Sequence, residues 1–323
     1  MIHLRSLALA TMVLATQMAG VPVTAQTDDE PTVPSATIPP KPIGIIGAPG
    51  GHGPWPAIAE SDANLPGFTL YRPNTLPDHA LPLLIWGNGG CRDNGLIYAN
   101  FLRQIASYGY IVVALGYPRA ERPVGFPDGK SEPEPRPARN ETMPDQMIAA
   151  IDWAEAETKQ FGAPLFGRID TSRIALMGHS CGAIQAIGAS ADQRVSTTIV
   201  FNSGVHQVRA SSERGWAPVF LDQLDSLHAP IAFFIGGDRD YARRDAERNF
   251  DLVKVPTFLA NRDTGHSGTF WDDEKGGEWS RVALAWLDWQ LRGNLDAATV
   301  FTGPDCSLCE DPGWQVRQKD LRR

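Results

Sequence analysis

Gly178-His179-Ser180-Cys181-Gly182 sets a serine between two glycines, and the flanking residues give the pattern its meaning. A strand-like run over residues 173–177 precedes it, and the small residues of 181–189 follow at helical spacing. In that setting the glycines let the backbone crowd into a strained strand-to-helix turn that lifts the Ser180 hydroxyl above a sheet. The helix N-terminus beneath it favours developing negative charge. A serine hydroxyl is a weak nucleophile at neutral pH, so Ser180 needs a histidine base that a carboxylate orients.

Both partners occur downstream. A strand expected over 231–235 leads into Gly236-Gly237-Asp238-Arg239-Asp240, and one over 255–260 leads toward Asp263-Thr264-Gly265-His266. Asp240 and Asp238 compete for the acid's place. Asp240 lies further from its strand, where the loop can curve toward a neighbouring histidine, and Asp238 suits a turn that satisfies loop amides. Of the seven histidines, His266 is the expected base. His3 falls in the leader, His52 and His79 precede the sheet, and His179 directly precedes Ser180. His206 follows a strand that comes before the acid, and His228 precedes a strand, so both are weaker rivals.

Acyl transfer creates an oxyanion that two main-chain N–H groups must meet. One is that of Cys181, the residue after the nucleophile. The other belongs to the early loop Trp86-Gly87-Asn88-Gly89-Gly90-Cys91, from Asn88 or Gly89. A simple glycine-rich turn is the plain alternative, and no G-x-x-x-x-G-K-[ST] or G-x-G-x-x-G stands here for phosphate. Cys91 and Cys181 should come close, either as a disulfide pinning the oxyanion loop to the nucleophile turn or as two buried thiols. Cys306-Ser307-Leu308-Cys309 reads as a local structural disulfide, because neither a second ligand pair for zinc nor a thioredoxin-like context accompanies it. Trp86, Trp216 and Trp271 are read first as core residues and second as walls of an apolar acyl pocket.

These residues need a sheet that brings several strand ends together. Short apolar runs expected as strands (69–72, 81–86, 110–115, 173–177, 195–201, 231–235, 255–260) alternate with helical patterns (96–107, 145–160, 181–189, 219–227, 241–250, 277–292). That alternation specifies an α/β domain: a doubly wound, mostly parallel sheet with helices on both faces, whose reactive residues gather at the carboxyl ends of the strands. The expected organisation is a signal peptide over 1–25, a flexible lead-in over 26–56, the α/β domain over 57–293 and a tail over 294–323. The irregular stretch 116–144 is a lid candidate.

Composition excludes several classes. The 323 residues carry a net charge of −8 with no Lys/Arg run, whereas a nucleic-acid partner calls for a basic footprint. Four cysteines are too few for a disulfide scaffold. Arg5, the apolar run 6–20 and Val23-Thr24-Ala25 read as a cleavable leader. The run is shorter than the ~18–20 clean apolar residues of a spanning helix, so a secreted or periplasmic protein with no stable membrane span is expected.

Taken together these residues resemble the α/β-hydrolase family over about 69–292. The run Ile169-Asp170-Thr171-Ser172-Arg173-Ile174-Ala175-Leu176-Met177-Gly178-His179-Ser180 is similar to the dienelactone hydrolase and cutinase-like polyester hydrolase branch, as is Ile105-Ala106-Ser107-Tyr108-Gly109 before the strand at Tyr110. The resemblance implies an α/β-hydrolase fold and an acyl-enzyme on carboxylic esters carried by Ser180, Asp240 and His266. It implies a small-molecule or lipid-like ester substrate and no metal or organic cofactor. The chain departs from that branch by having Asn88 where an aromatic residue is usual, and Asn202-Ser203-Gly204 where Pro-Trp is usual, so a flat clamp for aromatic polymers is not implied. A lactonase, amidase or transacylase would use the same triad, and a non-catalytic binding protein of the same fold is the alternative outside enzymes.

Overall fold

A computed structural model describes residues 44–119, 142–207, 217–271 and 275–322. Its elements run β1 (Gly44–Gly50), β2 (Ala57–Ser61), β3 (Phe68–Pro73), β4 (Leu81–Gly87), α1 (Ala99–Ser107), β5 (Ile111–Leu115), α2 (Pro144–Lys159), β6 (Ile169–His179) and α3 (Cys181–Ala189). There follow β7 (Val195–Phe201), β8 (Ile231–Ile235), α4 (Arg243–Leu252), β9 (Thr257–Asn261), α5 (Gly277–Arg292), α6 (Leu295–Ala298), α7 (Ser307–Glu310) and β10 (Gln315–Lys319).

Strands β4, β5, β8 and β9 are buried at every position, as strands covered on both faces must be. They lie in one ten-stranded sheet of order β1-β2-β3-β5-β4-β6-β7-β8-β9-β10. The central run from β5 to β9 pairs in parallel, and the edges add antiparallel strands. The fold is therefore α/β with a mixed, mostly parallel sheet. Side chains alternate between the faces. Leu84 and Trp86 pack with Phe101 of α1 and Trp286 of α5, while Leu83 and Ile85 pack with Met147 and Ile151 of α2. Further along, Phe233 and Leu259 pack with Ile187 of α3 and Phe250 of α4.

The core elements fall close to their expected spans; the edges do not. The expected lead-in over 26–56 contains β1, which pairs with the unforeseen β2. The expected tail over 294–323 contains α6, α7 and β10, the last paired along β9 from Gln315 opposite Asn261 to Lys319 opposite Thr257. Residues 219–227, expected as an α-helix, form a short 3-10 helix, Leu221–Ser226, with Leu224 its only buried residue. So small an apolar face gives an α-helix little to pack. The expected leader over 1–25 and residues 120–141 of the lid candidate lie outside the described residues. Among the described residues, no helix is long and apolar enough to cross a membrane.

Parallel pairing sets the strand ends in a row. Gly87 lies opposite Gly178, His179 opposite Phe201 and Ile235 opposite Asn261. Loops carrying Asn88, Ser180, Asn202, Asp240 and His266 thus leave the sheet at one edge.

Candidate active site

Ser180 sits between β6 and α3 with φ 52° and ψ −120°, a conformation that costs a side chain energy and persists only where its surroundings enforce it. The enforcement is visible. The Ser180 N–H donates to the Phe201 carbonyl at 3.0 Å, and the Ser203 hydroxyl donates to the Ser180 carbonyl at 2.7 Å. A Cβ on Gly182 would stand 2.0 Å from the Gly87 carbonyl carbon, and one on Gly178 would stand 2.4 Å from that of Gly182. Glycines are required here because α3 begins in backbone contact with the loop after β4.

The 2.9 Å from Ser180 Oγ to His266 Nε2 and the 2.8 Å from His266 Nδ1 to Asp240 Oδ1 put alcohol, imidazole and carboxylate in series. A carboxylate can only accept, so Nδ1 carries the proton and Nε2 offers its lone pair to the serine. Asp240 is buried, and each of its oxygens is held. Oδ2 accepts from Asn202 Nδ2 at 2.8 Å and the Gly236 N–H at 3.0 Å, and Oδ1 also accepts from the Ala242 N–H at 3.1 Å. Burial pushes the Asp240 carboxyl up, but the bonds from His266, Gly236, Asn202 and Ala242 outweigh it and hold it below the usual carboxylate range.

The rival carboxylate, Asp238, is exposed and paired with Arg243, so Asp240 is the carboxylate that faces His266. The rival histidines stand elsewhere. His206 is exposed, and His228 Nε2 donates to the Val195 carbonyl at the opposite end of the sheet. Tyr241 lies over the His266 ring with centroids 3.9 Å apart and its hydroxyl 2.6 Å from Nε2. It is 75% exposed and stands at the mouth of the site.

In the early loop the Asn88 side chain turns inward. Its Oδ1 accepts from Trp86 Nε1 at 3.0 Å, and its Nδ2 faces the carbonyls of Leu115 at 2.6 Å, Arg92 at 2.9 Å and Asn94 at 3.1 Å. The side chain therefore braces the loop after β4. The Gly89 N–H donates to the Tyr98 hydroxyl at 3.2 Å. Cys91 and Cys181 are joined by a disulfide, which ties this loop to the first residue of α3, and Cys306 is joined to Cys309. As the first helical residue, Cys181 has an N–H without an intrahelical acceptor.

Trp86 is fully buried core. Trp271 is half-buried, donates to the Ile97 carbonyl at 3.0 Å and leans on Tyr98 with ring centroids 5.0 Å apart. Trp216 lies outside the described residues. Among the described residues there is no group of three or more His, Cys, Asp or Glu side chains that could hold a metal ion.

Sequence reasoning missed Asn202, whose position directly after β7 was a usable signal, and Tyr98, for which the sequence offers none. No family model matches the chain, and no curated protein matches it.

Proposed function

We propose that the chain is an exported serine hydrolase of the α/β-hydrolase type that cleaves carboxylic esters through an acyl-enzyme. The observation that carries this is the series Ser180 Oγ, His266 Nε2, His266 Nδ1, Asp240 Oδ1, with gaps of 2.9 Å and 2.8 Å. Further support comes from the strained turn at Ser180 and from the placement of nucleophile, acid and base after β6, β8 and β9. Two disulfides suit an oxidising compartment, secreted or periplasmic.

His266 Nε2 takes the proton from Ser180 as Oγ bonds to the ester carbonyl carbon. The oxyanion accepts from the Cys181 N–H and from an N–H of the early loop. Because the Gly89 amide is engaged by Tyr98, Asn88 is the donor favoured there. Such a donor is typically worth ~10² to 10³ in turnover. Collapse of the intermediate breaks the bond to the leaving alcohol, which receives the proton from Nε2. Water then delivers its proton to Nε2 as its oxygen attacks the acyl carbon, and the acid departs as Ser180 recovers its hydrogen. Asp240 stays ionised and fixes the imidazole tautomer. The substrate class is a small-molecule or lipid-like ester, and no step calls for a metal or organic cofactor.

A panel of p-nitrophenyl esters of graded acyl length tests this. Hydrolysis that falls by orders of magnitude in Ser180→Ala supports it, and turnover unchanged in that variant overturns it.

A further inference from the structure

We infer, on the acyl-transfer reading above, that Tyr98 and His179 are positioning residues, a buried two-residue relay that holds the oxyanion loop and the loop of the base at one spacing. The chain of contacts is continuous. The Gly89 N–H donates to the Tyr98 hydroxyl at 3.2 Å, the Tyr98 hydroxyl lies 2.7 Å from His179 Nδ1, and His179 Nε2 lies 2.7 Å from the carbonyl oxygen of His266. Four segments meet in it: the loop after β4, the residue before α1, the end of β6 and the loop after β9.

Chemistry fixes the direction of each bond. A carbonyl oxygen only accepts, so His179 Nε2 carries a hydrogen. Burial, with the nearby His266, pushes the His179 imidazole down to about 3, so the ring is neutral and Nδ1 holds a lone pair. Tyr98 therefore donates to Nδ1 and accepts from Gly89. Both side chains are buried, at 3% and 5% exposure, and reversing any bond would strand a buried donor or acceptor.

Packing admits no slack. A Cβ at Gly89 would stand 2.6 Å from both His179 Nδ1 and the Tyr98 oxygen, so the relay itself requires glycine there. Tyr98 is wedged by Trp86 and Phe270 at centroid distances of 5.0 and 5.1 Å, and His179 touches the Phe270 and His266 rings at 5.2 and 5.1 Å. A displacement of the His266 main chain would thus reach the oxyanion loop through two rigid rings. Because the relay meets main-chain atoms of the machinery, its loss should act on the chemical step and spare the affinity for substrate.

The test is a double-variant cycle on p-nitrophenyl ester hydrolysis with Tyr98→Phe, which deletes one oxygen, His179→Gln and their combination. Nitrogen NMR of histidine-labelled protein runs alongside it. Expected are a fall in kcat of about tenfold at unchanged KM for Tyr98→Phe and a combined variant no slower than the worse single one. The wild-type spectrum should show a neutral His179 with hydrogen on Nε2, and its Nδ1 signal should move in Tyr98→Phe. Effects that multiply, KM rising in step with kcat loss, or a His179 with hydrogen on Nδ1 would overturn the relay. If His179→Gln fails to fold, the kcat and KM of Tyr98→Phe decide alone. Absence of Ser180-dependent turnover in the wild type would sink the hydrolase reading instead, and the histidine spectrum would still judge the relay.

Discussion

Asn202 Nδ2 reaches Asp240 Oδ2 at 2.8 Å and the Gly265 carbonyl at 3.0 Å, so one side-chain amide fastens Asp240 to the residue before His266. Asn202 is buried and adopts φ 49°, a conformation that asparagine tolerates better than most residues. Asn202→Ala deletes both bonds and leaves Asp240 free to rotate away from His266. Esterase kcat should fall by about tenfold, the scale of one bond to a charged group, with KM little changed.

The two aspartates after β8 separate cleanly. Asp240→Asn keeps the shape but presents an amide to His266 Nδ1, favouring the wrong tautomer, and should lower kcat by ~10³ to 10⁴. Asp238→Asn touches only the exposed pair with Arg243 and should leave kcat within about twofold, since exposed ion pairs contribute little. Steady-state kinetics on one ester decides both.

The disulfide between Cys91 and Cys181 spans a sequence separation of 90 and joins the loop after β4 to the turn at Ser180, whereas Cys306 and Cys309 are three residues apart. Cross-links that close long loops constrain the unfolded chain more. Replacing Cys91 and Cys181 by serine should lower the thermal midpoint by roughly 5–10 °C and reduce kcat as well. The same change at Cys306 and Cys309 should shift the midpoint less and leave kcat alone. Calorimetry and ester assays on the two double variants give the comparison.

Acid should destabilise the fold through His179. Its imidazole is pushed from 6.5 to about 3 when folded, so between those values the unfolded chain binds a proton that the folded chain does not. Stability is then fully present above pH 6.5 and drains away as pH falls toward 3. Asp240, held below its ordinary value, acts in the same direction: its contribution is present above the unfolded value and is lost as pH falls through the folded one. Urea midpoints measured from pH 7 to pH 4 should decline in the wild type and slope less in His179→Gln.

The meeting of Ser180, Asp240 and His266 was legible in the sequence because each follows a buried strand, where parallel pairing delivers its loop to the same edge. The six central strands were legible for the same reason: each is an apolar run bounded by turn residues. The edges were not. Gln315-Val316-Arg317-Gln318-Lys319 is polar and largely exposed, and its place in the sheet comes from backbone pairing with β9, which leaves no hydrophobic pattern to read. Gly44–Gly50 joins β2 with a register irregularity between Ile46 and Gly50. Tyr98 escaped because its role depends on contact with a residue 81 positions away, which local spacing does not encode, whereas Asn202 stands directly after β7, a strand-end position that the sequence does offer as a signal.

On the proposed function, His266 primes Ser180 as a nucleophile. Intact-mass and peptide-level mass spectrometry after brief exposure to an organophosphonate tests it most directly. One adduct per chain is expected, carried on the peptide containing Ser180 and missing from Ser180→Ala. A protein that takes up no adduct, or takes it up at another residue and keeps it in Ser180→Ala, does not use Ser180 as its nucleophile.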